Sequence, residues 1–302
     1  MDSRQKSAVL PAVVAAAMWA IIEAVMGALA PEVRPLVVGF HLVFWAGVAS
    51  LVTLMVTGRA ADLSVFNKNE SLFLLLLGTG GYVFWLLHGL TFDLMPPATA
   101  RLIFYTAPVL MALLSMFGSE AATGKKIALL VLGLLGTLLV LGVPEFGGTR
   151  AAWAAAGGWA LCWAVFSLGL RRLDRTIEVL PAITIVLAGG AACMLASCIA
   201  GRINVFALTY QQLLLCAATG GIAGVGMFYC WTTALSRWSV AACAPLWYAA
   251  PLLGVGVQIW QGSGWPSWWT AGGVVVLAFV VRSAVRMAGE QSKTLGDVLR
   301  GE

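Results

Sequence analysis

Four ionisable side chains stand inside long apolar stretches of this chain, namely Glu23, His41, His88 and Arg101. A charge in the hydrocarbon core of a bilayer is costly, so such residues usually face a bundle interior or water and mark functional sites. An arginine binds carboxylates and a carboxylate binds ammonium groups, so Arg101 and Glu23 together offer recognition of charged end groups. Glu23, His88 and Arg101 are therefore predicted to form a polar layer that binds or gates a ligand, whereas His41 is expected to be structural.

Aromatic side chains are the second group of candidates. The segments RLIFYTAPVL (101–110) and APLWYAAPLL (244–253) repeat a Tyr-x-x-Pro motif at a displacement of 143 residues. At about 1.5 Å per residue, Tyr105 and Tyr248 lie roughly 13 Å into their helices, near the middle of a bilayer. Tyr and Trp ordinarily prefer membrane interfaces, so a set at mid-depth is predicted to line a site for an apolar side chain or an ammonium group. This predicted substrate-binding set is Trp19, Tyr82, Tyr105, Trp163, Tyr229 and Tyr248.

Two prolines, Pro108 and Pro251, are predicted to break the helices that carry the tyrosines. Each removes one backbone hydrogen bond and so frees a carbonyl group, of Phe104 or of Trp247. Within a membrane a freed carbonyl is tolerated where protein or water satisfies it. The alternative interpretation is that these aromatic side chains and prolines only shape the packing of helices.

The composition sets the environment of all these residues. The chain of 302 residues is 61% hydrophobic and 10% charged, with a mean hydropathy of +0.92. A soluble protein of this size needs a charged shell that so few charges cannot supply, so the chain is predicted to be an all-α integral membrane protein. The six cysteines are scattered without a CxxC or Cys/His pairing, which predicts buried small side chains rather than disulfides or a metal site.

Ten membrane-spanning helices are predicted from apolar runs broken at Pro, Gly and charged residues. They cover residues 8–29, 36–57, 71–92, 96–117, 126–143, 151–170, 180–200, 211–235, 239–260 and 268–287. With the amino terminus inside, 14 of the 18 Lys and Arg fall on cytoplasmic segments, three fall in outer loops, and Arg101 lies within a span. This asymmetry follows the positive-inside rule, so both termini are predicted to be cytoplasmic.

The 143-residue displacement divides the ten helices into two repeats, predicted at 1–145 and 146–288, before a disordered cytoplasmic tail at 289–302. Because five is odd, the second repeat must enter the bilayer from the opposite side, as in transporters whose inverted repeats enclose a midplane site. Trp19 matches Trp163 at nearly the same displacement, 144 residues. The positions that match Glu23, His88 and Arg101 are Ser167, Trp231 and Ala244. The polar layer is therefore predicted in one repeat only, on the outer side.

The sequence resembles the drug/metabolite transporter superfamily in its ten-helix EamA branch. The features that carry the resemblance are the Trp-Ala pairs at 19–20 and 163–164, the Ala-Leu of WTTAL (231–235), both Tyr-x-x-Pro motifs, and a Gly-Glu turn at 118–120 that is degenerate at 261–262. Within that branch, PPATARLIFY (96–105) resembles the aromatic amino acid exporters. The resemblance implies export of aromatic and other neutral amino acids across a bacterial inner membrane by alternating access, with no cofactor.

Other classes of function remain open at this point. An integral-membrane enzyme is the main alternative, although the chain has no H-E-x-x-H or G-x-S-x-G motif and no metal-ligand cluster. A transporter of drugs, nucleotide sugars or sugar phosphates is the nearest competitor, but phosphate recognition is expected to use several basic side chains. The expected partners are a small-molecule substrate and membrane lipid, with no nucleic acid, and the chain is expected to be a monomer or a homodimer.

Overall fold

A computed structural model of the protein describes residues 3–117, 123–142, 147–173, 178–260 and 267–300. This part of the chain is helical and contains no strand. Its helices are α1 (Ser3–Leu29), α2 (Pro35–Val56), α3 (Lys68–Leu94), α4 (Pro97–Phe104), α5 (Ala107–Met116), α6 (Gly124–Leu141), α7 (Arg150–Arg171), α8 (Val179–Ala200), α9 (Tyr210–Thr219), α10 (Val225–Arg237), α11 (Val240–Cys243), α12 (Ala249–Trp260) and α13 (Trp268–Arg300).

The described residues contain ten helical segments long and apolar enough to cross a membrane, here called spans 1 to 10. They are Val9–Leu29, Pro35–Val56, Lys68–Leu94, Pro97–Met116, Gly124–Leu141, Arg150–Arg171, Val179–Ala200, Tyr210–Arg237, Val240–Ile259 and Trp268–Met287. All ten predicted spans are confirmed in number and order. Below, the Leu29 end of the bundle is the end at which span 1 finishes, and the Arg171 end is the end at which span 6 finishes.

Three spans are not continuous α-helices. Span 4 breaks between α4 and α5, span 9 contains a 3₁₀ turn at Ala244–Tyr248, and span 8 contains a π-helical turn at Gly220–Gly224. Pro108 and Pro251 each lie in the first turn of the helix that follows the break, where a missing N–H costs no helical hydrogen bond. The prolines therefore sit just after the breaks in the two spans that carry the Tyr-x-x-Pro motif.

Glycines bring several spans into backbone contact, as small residues do between membrane helices. A Cβ on Gly78 of span 3 would lie 2.6 Å from the carbonyl oxygen of Val186 in span 7, and one on Gly273 of span 10 would lie 2.7 Å from that of Gly136 in span 5. Span 1 packs on span 8, span 6 on span 3, span 2 on span 7, and span 5 on span 10. If every span number is increased by five, with span 1 following span 10, the same set of packed pairs results. Two inverted five-helix repeats would produce this pattern.

The carboxyl-terminal segment differs from the expectation of a disordered tail. Helix α13 continues from span 10 to Arg300, because a helix that is already nucleated extends at little further cost. The turns predicted at 118–120 and 261–262, and the repeat boundary at 145/146, lie outside the described residues.

Candidate functional site

A cluster of aromatic rings fills the centre of the bundle. The ring centroid of Trp19 lies between 5.5 and 6.1 Å from those of Phe84, Trp85, Phe104, Trp163 and Trp247. The aromatic cluster, as the term is used below, comprises Trp19, Phe84, Trp85, Phe104, Trp159, Trp163, Trp231 and Trp247. The sequence predicts that rings at this level line a substrate site. In the structure the rings pack against one another, since offset and edge-to-face contacts stabilise them in a closely packed interior.

Tyr105 and Tyr248 border this cluster and are joined by a hydrogen bond. The hydroxyl of Tyr248 donates to the backbone carbonyl of Tyr105 at 3.2 Å, and both side chains are buried. The sequence predicts that Pro108 frees the carbonyl of Phe104. The chain turns at Tyr105 and Thr106, so the carbonyl that Tyr248 satisfies is one residue later.

Two pairs of residues at matching repeat positions are in contact here. Tyr248 bonds to Tyr105, 143 residues earlier, and the rings of Trp19 and Trp163 stack at 6.1 Å. In a twofold arrangement, a residue touches its own counterpart only beside the symmetry axis. The aromatic cluster therefore lies where the axis of the predicted inverted repeat would run.

Tyr82 and Tyr229 are the two members of the predicted set that the structure does not bring to the cluster. The Tyr82 hydroxyl accepts a hydrogen bond from Ser197 at 2.7 Å between spans 3 and 7, and the side chain of Tyr229 is 44% exposed on span 8. Each lies two residues before a cluster member, Phe84 or Trp231, and two residues correspond to about 200° around a helix. The position of a residue along its span therefore does not determine which side of the helix its side chain faces.

Glu23 and Arg101 meet beside the cluster, towards the Leu29 end. Glu23 follows Trp19 by four residues and Arg101 precedes Tyr105 by four, so each charge shares a helical face with an aromatic residue of the centre. The Nε of Arg101 lies 3.4 Å from Oε2 of Glu23, and the two side chains are 23% and 12% exposed. Arg101 also lies over the ring of Phe92, at 5.6 Å from the centroid.

The charged pair borders two cavities. The larger, of about 110 Å³, is lined by Glu23, Arg101 and Tyr105 together with Pro251 and Gln258 of span 9. The smaller, of about 20 Å³, lies between the same two charges and His88. Among the described residues, Oε1 of Glu23, Nε of Arg101 and Nδ1 of His88 have no hydrogen-bond partner. Buried polar atoms are normally paired, so this site is prepared to form hydrogen bonds with a ligand or water, with Arg101 as a donor and Glu23 as an acceptor.

The two histidines have different surroundings. His88 is 2% exposed and contacts Trp159 edge to face at 4.6 Å, so it belongs to the polar layer and to the edge of the aromatic cluster. The Nε2 atom of His41 lies 2.8 Å from the carbonyl oxygen of Val205 and ties α2 to the segment before α9. That tie agrees with a structural role for His41.

Sequence reasoning missed six members of the cluster as site residues, namely Phe84, Trp85, Phe104, Trp159, Trp231 and Trp247. A signal existed for some of them. Trp159 precedes Trp163 by four residues and so shares its helical face, and Phe104 and Trp247 are each adjacent in sequence to one of the paired tyrosines. Trp231 was noted only as the residue that replaces His88 in the second repeat.

These features define a polytopic helical membrane protein with a charged pair held inside its bundle, and no group of potential metal ligands occurs among the described residues. Residues 6–142 match the model of the EamA-like transporter family. Over 198 residues the chain is 31% identical to the aromatic amino acid exporter YddG of Ancylobacter novellus. The aligned region covers 63% of this chain and 67% of that protein. A crystal structure of another protein has the same fold, with a TM-score of 0.79, 21% identity, and coverage of 95% of this chain and 99% of that one. The chain belongs to the EamA-like transporter family, and it is a transporter rather than an enzyme.

Proposed function

We propose that this transporter exports aromatic and other neutral amino acids across the bacterial inner membrane by alternating access. The observation that carries the proposal is the Glu23–Arg101 pair, whose unpartnered polar atoms line a cavity that also touches Tyr105. The relative that is named an aromatic amino acid exporter supports the same class of substrate.

The charged pair matches the two end groups of an amino acid. The guanidinium of Arg101 offers donors to a carboxylate, and Glu23 offers an acceptor to an ammonium group. Hydrogen bonds to charged groups contribute about 1.5–3 kcal/mol each, more than neutral ones. A zwitterion can therefore replace the Glu23–Arg101 contact with two such contacts and leave no net charge in the bundle.

The side chain of the substrate would enter the aromatic cluster. Pockets for small molecules usually measure about 300–1,000 Å³. The cavity of about 110 Å³ beside Arg101 therefore holds the end groups only. The rings around Trp19 and Trp163 must separate to admit an aromatic or branched side chain, and they then contribute apolar and stacking contacts.

The orientation of the protein follows from its basic residues. The 14 Lys and Arg on one side, against three on the other, support an orientation with both termini in the cytoplasm and the Leu29 end on the outer side. Glu23 and Arg101 would then face the exit.

Counterflow in proteoliposomes tests the substrate class. Vesicles preloaded with phenylalanine should accumulate labelled phenylalanine and, more slowly, threonine, but not a sugar phosphate. Preference for the sugar phosphate would overturn the proposal, because Arg101 is the one lysine or arginine on the two described cavities.

Variants of the charged pair test the site. Arg101→Ala and Glu23→Gln should each lower phenylalanine counterflow at least about tenfold, since one lost charge-assisted hydrogen bond is worth about 1.5–3 kcal/mol. Arg34→Ala removes an exposed arginine next to span 2 and is the matched control, with wild-type rates expected. Wild-type rates in both site variants would remove the charged pair from the mechanism.

A further inference from the structure

We infer that Trp231 and Ser167 form the gate that closes the transport pathway at the Arg171 end of the bundle. The inference rests on the proposed function, because a gate requires a pathway. It assigns a role to Trp231, a member of the aromatic cluster, and to its partner Ser167, which lies towards the Arg171 end, away from the charged pair.

The geometry is that of a closed latch between spans 6 and 8. The indole Nε1–H of Trp231 donates to the hydroxyl of Ser167 at 3.0 Å, and both side chains are 0% exposed. The Trp231 ring lies 4.8 Å from that of Trp247 in span 9 and 6.2 Å from that of Trp163, centroid to centroid. Four residues, or about 6 Å, separate Ser167 from Arg171 at the end of its helix. The latch thus joins three spans just inside this end of the bundle.

The predicted repeat gives the latch a counterpart at the opposite end. Ser167 and Trp231 occupy the positions that match Glu23 and His88. Glu23 and His88 border cavities at the Leu29 end, whereas Ser167 and Trp231 are fully buried. In an alternating-access cycle the two ends of the bundle open in turn. Since the Arg171 end is closed in this structure, Ser167 and Trp231 must separate when that end opens.

Polar atoms without hydrogen-bond partners near the latch indicate that the protein also adopts a conformation in which the latch is open. Among the described residues, the hydroxyls of Thr232 and Thr233 and Nε1 of Trp247 are buried without a hydrogen-bond partner. A buried polar group without a hydrogen-bond partner destabilises the conformation from which water is excluded. Entry of water from the Arg171 end would satisfy them, which offsets the loss of the Trp231–Ser167 bond when the gate opens.

A buried thiol beside the latch reports its opening. Cys243 is 0% exposed, and its Sγ lies 3.7 Å from the carbonyl oxygen of Ala234, one turn after Trp231. The experiment uses the full-length protein with Cys243 as its single cysteine, in inside-out vesicles. The measurement is the rate at which a membrane-impermeant maleimide labels Cys243. Total thiol after denaturation and the melting temperature show that each variant is folded.

Trp231→Phe and Ser167→Ala each remove the latch bond and should speed labelling about three- to tenfold, the effect of one net hydrogen bond on a two-state equilibrium. The double variant should label no faster than the faster single variant, because both changes remove the same bond. Trp159→Phe is the matched control. It removes an equally buried indole N–H that has no partner in the described part of the chain, and it should leave the rate unchanged.

Unchanged labelling in both latch variants would overturn the gate, as would an equal increase in Trp159→Phe or an increase only in right-side-out vesicles. Labelling requires no substrate, so faster labelling supports the gate even if counterflow with amino acids fails. Amino acid counterflow with unchanged labelling would instead leave the proposed function in place and remove the gate.

Discussion

Gly133 of span 5 forms the surface against which the ring of Tyr248 packs. A Cβ on Gly133 would overlap Cγ, Cδ2 and Cε2 of that ring. Tyr248 is fully buried and bonded to the Tyr105 carbonyl, so its ring cannot move aside without loss of contacts. The substitution Gly133→Ala is therefore expected to displace Tyr248 and destabilise the protein.

The size of the effect follows from three contributions. Overpacking of a buried site costs about 1–3 kcal/mol. Loss of the Tyr248 hydrogen bond adds about 1 kcal/mol. The higher helix propensity of alanine returns about 0.5–1 kcal/mol. The net loss of about 1–3 kcal/mol corresponds to a fall of about 2–10 °C in melting temperature for a chain of this size.

Thermal unfolding of the purified protein in detergent measures this change. Gly157→Ala is the matched control, because Gly157 is exposed on span 6 with no atom within 4 Å of its added Cβ. Only the propensity gain remains there, so its melting temperature should rise by about 1–3 °C. In a Tyr248→Ala background, Gly133→Ala should no longer lower the melting temperature, since the clashing ring is absent. Equal shifts for Gly133→Ala and Gly157→Ala would refute the reasoning.

Three further outcomes are expected. Tyr248→Phe should lower the melting temperature by about 2–4 °C through loss of one buried hydrogen bond. Tyr210→Phe, at a side chain that is 74% exposed, should not change it. Equal melting temperatures for these two variants would show that the bond to Tyr105 contributes nothing to stability. His41→Ala should lower the melting temperature because it breaks the contact with Val205, yet counterflow per folded protein should stay at the wild-type rate, and a specific loss of transport would contradict the structural role of His41. A fluorescent protein fused to the carboxyl terminus should fluoresce and alkaline phosphatase fused there should be inactive, and the reverse pattern would show that the orientation is wrong.

Glu23 and Arg101 could be selected from the sequence because their selection depends on short-range patterns. Glu23 and Arg101 stand out as charges in apolar runs, and each shares a helical face with an aromatic residue four positions away. Their levels in the membrane could be counted from helix ends. The structure then places the two charges 3.4 Å apart. The same counting could not show that the side chain of Tyr229 is exposed rather than part of the cluster.

The sequence by itself determined the ten spans, because a lipid environment requires each crossing segment to be a helix of about 20 mainly apolar residues. It also determined which residues are costly there, since a charge in an apolar run is visible without neighbours. Only the tertiary structure decided that Tyr248 bonds to Tyr105, that indole rings close the centre, and that Trp231 is held by Ser167. Those contacts join residues far apart in the chain, and the rotation of each helix about its axis is set by the neighbours it packs on rather than by its own composition.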